Sequence, residues 1–304
     1  MTAAVEELVE RLWPGRRVHI GRLTGGMTNA NFLVDLGDEQ VVVRIPGRNT
    51  GLLGIDRRHE AIANRLAASI GVAPDVLDES IDQGYLVTRF LDARPVPPSE
   101  LGAEPMLEEV AVTLRLIHRA GTVEAVFDPY QVVTDYHDLA GAKGVVEPFD
   151  FDLAWSVVDH IRQVRGFTPS AFCHNDLLNE NFLFDTRLRI LDWEYAGMGD
   201  PFFDLANFSI NHELTASADQ MLLGHYFGRR DPAHVTALTL MKLVSELREA
   251  MWGVVQLAVS DLDIDFAAYT RGRSERFMSL LYEMDFEALT QAASNEENEE
   301  RRGD

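Results

Sequence analysis

The stretch from Cys173 to Gly197, CHNDLLNENFLFDTRLRILDWEYAG, constrains the fold more than any other part of the chain. Its apolar runs have the character of short buried strands, yet polar residues stand at both ends of them. Burying such groups beside apolar strands costs free energy unless they are paired, hydrogen-bonded or bound to a metal. The sequence therefore predicts a small β element whose ends serve a chemical purpose. The polar residues concerned are His174, Asp176, Asn181, Asp192 and Glu194.

The two apolar runs predict a hairpin. Residues 182–184 form the first strand, Asp185-Thr186 the turn, and residues 188–191 the second strand. Antiparallel pairing about that turn places Asn181 opposite Asp192. An amide oxygen and a carboxylate suit Mg²⁺, which needs only one or two protein carboxylates when phosphates complete its shell. The hairpin thus predicts a metal site at its open end.

Asp176 lies five residues before Asn181, in a loop that must pass the same end of the hairpin. From there its carboxylate can accept a proton from a hydroxyl aimed at a metal-bound phosphate, as a general base does in phosphoryl transfer. The alternative is that Asp176, Asn181 and Asp192 only cap turns, as Asp and Asn often do. Their joint spacing favours the chemical role.

The rest of the chain predicts an α+β protein with a small N-terminal antiparallel-sheet lobe and a larger, mainly helical C-terminal lobe. Three strands follow residue 16, with a hairpin turn at Gly37-Asp38, and a helix from Asp56 to Ile70 stops at Gly71. Two more β runs follow that helix. We place the first lobe at 1–91, a Pro-rich connector at 92–98, the second lobe at 99–290 and a charged tail, expected to be disordered, at 291–304.

The net charge of −22 bears on possible partners. Such a surface repels nucleic acid and anionic membranes and weakly favours a cationic small molecule. No apolar run is long enough for a membrane span and no secretory leader is evident, so we expect a cytoplasmic protein. The single cysteine, Cys173, cannot form an internal disulfide. The sequence leaves the oligomeric state open.

Three segments carry a family resemblance. HNDLLNEN resembles the catalytic loop H-x-D-x-x-x-x-N of kinase-like phosphotransferases, and ILDWEYAG resembles their metal-binding segment. With GDPFFDLANF, they are more similar to the choline/ethanolamine kinase branch than to the aminoglycoside phosphotransferase branch. The resemblance implies a protein-kinase-like two-lobe fold, with ATP and Mg²⁺ as cofactors. It makes Asp176 the catalytic residue, Asn181 and Asp192 the metal ligands, and His174 and Asp204 supports of the loop.

The resemblance also assigns nucleotide contacts in the first lobe. The segment LTGGMTNANFLV would cover the ATP phosphates, although it departs from the Gly-x-Gly-x-x-Gly pattern of protein kinases. Arg44 stands where most kinases carry the strand lysine, and Glu60 on the next helix is its expected ion-pair partner. The remaining nucleotide contacts would come from Gly25, Gly26, Thr28 and Asn29 in the loop, and from backbone groups of Arg89, Phe90 and Leu91 at adenine.

For the acceptor, the family binds an ammonium group with aromatic faces and carboxylates. At least one of Trp193, Glu194 and Tyr195 should face it, and we select Glu194 and Tyr195. Trp252, in ELREAMWGVVQ, resembles the tryptophan that closes the choline pocket, but Val255 stands where the family often has a second tryptophan. Glu246 and Glu249, on the same helix, are further candidate partners of an ammonium group, but we favour a solvated helix face for each and leave them out of the site.

These assignments predict a kinase that transfers the γ-phosphate of ATP to an alcohol hydroxyl, with choline or ethanolamine as acceptor. An aminoglycoside, thiamine or a sugar is the alternative acceptor for the same chemistry. The alternative of another class is a nucleotide-binding regulatory pseudo-kinase, which would not need Asp176, Asn181 and Asp192 together.

Overall fold

A computed structural model describes residues 2–23, 29–47, 50–260 and 262–303. The N-terminal lobe is a five-stranded antiparallel sheet in the order β1-β2-β3-β5-β4, with one helix before the sheet and one between β3 and β4. The predicted five-strand lobe is therefore confirmed. Its elements are α1 (Thr2–Leu12), β1 (His19–Arg22), β2 (Asn29–Asp35), β3 (Gln40–Pro46), α2 (Arg57–Ser69), β4 (Val76–Ser80) and β5 (Tyr85–Arg89), with a short 3₁₀ turn at Thr50–Leu53.

Alternating apolar residues explain the β2–β3 pair. The register joins Asp35 to Gln40 across a turn in which Gly37 has φ 89°, a conformation that glycine adopts without strain. One face of the pair buries Phe32 and Val43 against α1, so a separate small core holds this lobe together.

Local sequence signals also set the ends of α2. The Asp56 side chain caps its N-terminus by accepting hydrogen bonds from the backbone N–H groups of Arg58 and His59, and Gly71 follows its end with φ 72°. The helix buries Glu60 and leaves Ile62 40% exposed. A buried carboxylate on this helix needs a cationic partner, which the site supplies.

The C-terminal lobe is mainly helical, and its long central helix, α9, packs against α5, α7 and α10. No helix within the described ranges is long and apolar enough to cross a bilayer. The helices are α3 (Pro98–Leu101), α4 (Glu104–His118), α5 (Pro129–Ala142), α6 (Phe151–Arg165), α7 (Pro201–Asn211), α8 (Ala216–Phe227), α9 (Pro232–Val259), α10 (Phe266–Glu283) and α11 (Phe286–Gly303).

Two small sheets interrupt these helices and carry the polar loop of the opening stretch. One has the order β6-β8-β9 and the other pairs β10 with β7. Their strands are β6 (Arg94–Pro95), β7 (Ala171–Cys173), β8 (Phe182–Phe184), β9 (Leu188–Ile190) and β10 (Gly197–Gly199).

Two segments that we predicted to be irregular contain regular secondary structure. The connector at 92–98 contributes β6, in which Arg94 pairs with Phe184 of β8. The charged segment at 291–304, which we expected to be disordered, is helical through residue 303 as the continuation of α11. Its glutamates and arginines are good helix formers, and the start of α11 is anchored by the buried residues Thr290 and Ala293.

Candidate active site

The predicted hairpin is present, but its register differs by one residue. Phe182 pairs with Ile190 and Phe184 with Leu188, so the loop has three residues instead of two. The Asp185 carboxylate accepts a hydrogen bond from the backbone N–H of Arg187 (3.0 Å), which closes that longer loop.

The register changes what lies opposite Asn181. The backbone N–H of Leu191 donates to the carbonyl of Asn181 (2.9 Å), so the prediction that Asn181 faces Asp192 is wrong by one position. Asp192 follows with φ 64°, in the left-handed region that is uncommon for residues other than glycine. Strained backbone of this kind persists where the surrounding structure fixes it, and the ion pair with Arg44 fixes Asp192 here.

Asp204 organises the loop that carries Asp176. Its carboxylate accepts hydrogen bonds from the backbone N–H groups of His174 (2.8 Å) and Asn175 (2.7 Å), and it contacts His118 Nε2 (3.0 Å). Burial alone would raise the pKa of Asp204, but its hydrogen bonds and the two neighbouring histidines lower it below the ordinary value. Asp204 is therefore an ionised support, fully enclosed by donors.

His174 ties the same loop to the hairpin. Its Nε2 donates to the Leu191 carbonyl (2.9 Å), while its Nδ1 accepts the backbone N–H of Asp176 (3.3 Å). These partners fix the neutral tautomer with the proton on Nε2, and burial lowers the pKa of His174. Both ring nitrogens are engaged, so the contacts of His174 are those of a scaffold.

The Asp176 side chain lies beside a buried cation. Asp176 Oδ1 is 3.2 Å from Nη1 of Arg248, and the Asp176 carbonyl accepts a hydrogen bond from Asn181 Nδ2 (2.9 Å). Burial raises the pKa of Asp176 to about 8; Arg248 opposes this shift, while Glu249 and Asp192 add to it. With its Nδ2 engaged, Asn181 has its Oδ1 left for a metal.

Three carboxylates gather where the hairpin meets the N-terminal lobe. One oxygen each from Glu60, Asp192 and Glu194 lie within 4.8 Å of one another. Burial and Glu194 raise the pKa of Asp192 to about 6 against the opposing effects of Arg44 and Arg57. A set of hard oxygen donors fits Mg²⁺ or a similar divalent cation, which prefers carboxylates.

Two arginines of the N-terminal lobe hold this cluster. Arg44 on β3 pairs with Glu60 and lies 2.8 Å from Asp192, so the predicted Arg44–Glu60 pair is formed and also reaches the second lobe. Arg57, which sequence reasoning missed, pairs with Glu60 (2.6 Å) and Glu194 (3.1 Å). Its spacing of three residues from Glu60 on one helix was the available signal.

The remaining predicted nucleotide contacts are only partly described. Gly25, Gly26 and Thr28 lie outside the described residues. The Asn29 side chain donates to Glu194 (2.9 Å). At the expected adenine contact, the backbone N–H groups of Arg89 and Phe90 donate to the carbonyls of Asp75 (2.9 Å) and Gln40 (3.1 Å). Adenine recognition there would fall to Leu91 and to the carbonyls of this segment.

The candidate acceptor residues separate into two environments. Trp193 is fully buried; it donates to the Ile190 carbonyl (3.0 Å) and stacks on Phe172, so it is a core residue. Glu194 belongs to the carboxylate cluster. Tyr195 meets Trp252, whose Nε1 donates to the tyrosine hydroxyl (3.1 Å).

Helix α9 supplies two charged residues that we did not select. Arg248 and Glu249 are 1% and 2% exposed and form an ion pair of 2.7 Å. Glu249 also accepts a hydrogen bond from the Tyr269 hydroxyl (2.7 Å), and the Arg248 guanidinium carbon lies 4.6 Å from the centre of the Tyr195 ring. The expectation of a solvated face is therefore wrong for Glu249. It is also wrong for Glu246, which is buried against Arg276.

Comparison with known proteins agrees with this geometry. The model of the phosphotransferase enzyme family matches residues 19–238. A crystal structure of a choline/ethanolamine kinase family protein from Mesorhizobium loti is 30% identical, with a TM-score of 0.81 over 97% of this chain and 99% of that one. The chain belongs to the choline/ethanolamine kinase branch of the phosphotransferase enzyme family. It is thus a small-molecule kinase that phosphorylates an alcohol group, and the predicted kinase-like two-lobe fold is confirmed.

Two other relatives extend the comparison of this family member. Protein LicA of Haemophilus influenzae is 28% identical over 271 residues, covering 86% of this chain and 79% of that protein. A crystal structure of LicA in complex with AMP has a TM-score of 0.76 at 24% identity, covering 92% and 98% of the two chains. The similarity to this AMP complex shows that the two chains share the same fold.

Proposed function

We propose that this kinase uses ATP and Mg²⁺ to phosphorylate the hydroxyl of a small amino alcohol, choline or ethanolamine. The observation that carries the proposal is the junction of the lobes, where Arg44 of β3 reaches Asp192, and Asp176 stands on the adjoining loop. Phosphoryl transfer needs positioned charge on both sides of the transferred group. This junction offers a fixed cation, a carboxylate cluster and a candidate base.

Arg44 would contact the phosphates of ATP. Glu60 is buried and holds the guanidinium from the α2 side, and the Arg44 side chain is only 11% exposed, so the arginine is oriented before the nucleotide arrives. A guanidinium binds phosphate oxygens in pairs, which positions as well as attracts them. The LicA structure of the same fold holds AMP, which supports a nucleotide between the lobes. Gly25, Gly26, Thr28 and Asn29 would cover the phosphates, and Arg89, Phe90 and Leu91 would border adenine.

Asn181 and Asp192 would hold the metal ion, which when bound screens the negative charge of the triphosphate. Asn181 contributes through Oδ1, because its Nδ2 is committed to the Asp176 carbonyl. Asp192 is held by Arg44 from outside the hairpin. The neighbouring carboxylates of Glu60 and Glu194 complete a set of oxygen donors of the kind that this ion prefers.

Asp176 would orient the acceptor hydroxyl and take its proton. The hydroxyl oxygen forms the new bond to the γ-phosphorus, the bond from that phosphorus to the bridging oxygen of ADP breaks, and the hydroxyl proton passes to the Asp176 carboxylate. His174, Asn181 and Arg248 restrain the loop and the carboxylate from three directions. That restraint supplies the orientation on which such catalysis depends.

Tyr195 and Trp252 would border the acceptor, with Glu194 on the metal side. The Trp252–Tyr195 hydrogen bond joins α9 to the segment that follows Asp192 and holds the two rings next to each other. Aromatic faces beside carboxylates suit an ammonium-bearing alcohol. A cytoplasmic location remains a prediction.

Coupled ADP release tests the proposal with a panel of choline, ethanolamine, thiamine, a sugar and an aminoglycoside. We expect an amino alcohol to stimulate ADP release in the presence of Mg²⁺, and Asp176→Asn to lower kcat by at least about a hundredfold. Asp185→Asn, in the hairpin turn, is the matched control and should retain activity. A panel in which no acceptor exceeds the rate without acceptor would favour the regulatory alternative. Full turnover by Asp176→Asn would show that the Asp176 carboxylate is not needed for catalysis.

A further inference from the structure

The acceptor end of the site already contains a cation. The guanidinium carbon of Arg248 lies 4.6 Å from the centre of the Tyr195 ring and 5.7 Å from that of Phe127. Its Nη1 is shared between Glu249 (2.7 Å) and Asp176 (3.2 Å). A cation between aromatic faces and carboxylates is the arrangement by which proteins bind a quaternary ammonium. In this chain the protein's own side chain takes that place.

Arg248 cannot leave this place cheaply. It is 1% exposed, and a guanidinium stays charged inside a protein. Moving it away would leave the buried carboxylate of Glu249 without its ion-pair partner, and breaking a buried pair is strongly destabilising. The face of Tyr195 that lies toward Arg248 is therefore covered by a fixed positive charge, which repels a trimethylammonium group.

One edge of the same guanidinium faces no hydrogen-bond partner. Within the described ranges, Nε and Nη2 of Arg248 are both buried and unpaired. These two nitrogens are adjacent and form the side-on fork that binds the two oxygens of a carboxylate. Buried donors without partners cost free energy, so a carboxylate whose two oxygens accept from Nε and Nη2 is strongly favoured.

The geometry points to Arg248 as the residue that sets acceptor specificity: its Nε–Nη2 edge binds a carboxylate on the acceptor. The preferred acceptor is then a hydroxy amino acid, which adds a carboxylate to the amino-alcohol unit, in place of choline or ethanolamine. The inference rests on the phosphoryl transfer to an amino alcohol that is the proposed function. Because Nη1 of the same group is 3.2 Å from Asp176, a hydroxyl about two or three carbons from that carboxylate reaches the base.

The test compares kcat/KM for L-serine and L-homoserine with that for choline and ethanolamine, using wild-type enzyme and Mg·ATP. We expect kcat/KM for one of the hydroxy amino acids to exceed kcat/KM for choline by at least about tenfold. Arg248→Met should lower kcat/KM for the hydroxy amino acid by about tenfold to a hundredfold, mainly through a higher KM. The ratio of kcat/KM for choline to kcat/KM for the hydroxy amino acid should therefore rise. Arg248→Lys keeps the positive charge but lacks the two-nitrogen fork, so its kcat/KM for the hydroxy amino acid should lie between the wild-type and Arg248→Met values.

Arg165→Met is the matched control, because Arg165 is also stacked on an aromatic ring, Phe202, and paired with a carboxylate, Asp200 (3.0 Å). It should leave the order of acceptors unchanged. Wild-type preference for choline or ethanolamine over both hydroxy amino acids would overturn the inference while leaving the proposed function intact, whether or not Arg248→Met folds. Failure of every acceptor would overturn both.

Discussion

Replacement of Asp204 by Asn tests whether the catalytic loop is held as the structure indicates. The Asp204 carboxylate is fully buried and accepts from the backbone N–H groups of His174 and Asn175 and from His118. Asn has one acceptor oxygen and places an NH₂ group where the other was. At least one buried backbone donor then faces another donor, and the remaining hydrogen bonds lose the help of the negative charge.

One unpaired buried donor costs about 1–3 kcal/mol, and the loss of charge weakens the other bonds further, so we expect about 3 kcal/mol of lost stability. For a chain of this size that corresponds to a fall in Tm of roughly 6–12 °C. Differential scanning calorimetry measures it. Because the loop carries Asp176, kcat should fall more than the KM for ATP rises.

The pH dependence of the same variant has a defined sign. The folded-state pKa of Asp204 is lowered, so the stability from its ionised form is present above the ordinary pKa near 4 and is lost as pH falls through the lower folded value. The stability difference between wild type and Asp204→Asn should therefore shrink in acid. Asp200→Asn, at the N-cap of the same helix, is the control. An Asp204→Asn enzyme as stable and active as this control would refute the scaffold account.

Three further predictions concern the site itself. Arg44→Gln should weaken ATP binding by about tenfold to a hundredfold in calorimetry and leave the acceptor KM unchanged. Arg22→Gln, at an exposed position of β1, should change neither ATP binding nor the acceptor KM. Trp252→Ala should cost about 3–5 kcal/mol of stability and raise the acceptor KM far more than that of ATP; equal effects on both would make Trp252 a core residue only. Asp192→Asn should raise the Mg²⁺ concentration for half-maximal activity by about tenfold, and an unchanged value would contradict its role as a ligand.

Features set by short-range chemistry could be predicted from the sequence. The cap at Asp56, the stop at Gly71 and the turn at Gly37 each depend on a few neighbouring residues, and the structure has all three. The hairpin was predictable for the same reason. Its register was not, because the Asp185 side chain stabilises a three-residue loop in place of the shorter turn.

The charged residues of α9 required the tertiary structure. Glu246, Arg248 and Glu249 have the composition of a solvated helix face, and nothing local shows that α7, α10 and the catalytic loop enclose them. Trp193 shows the converse case, since its position beside Asp192 suggested the acceptor, whereas its ring packs into the core. Sequence spacing predicted that Asn181 and Asp192 lie at the same end of the hairpin, but not which neighbouring side chains face them.

Phosphorus NMR of the reaction mixture tests the central claim most directly. With wild-type enzyme, Mg·ATP and an amino-alcohol acceptor, the account predicts a new phosphomonoester resonance that grows in step with ADP, and no such resonance with Asp176→Asn over the same time. Appearance of inorganic phosphate alone, or of the same ester at an undiminished rate with Asp176→Asn, would contradict it.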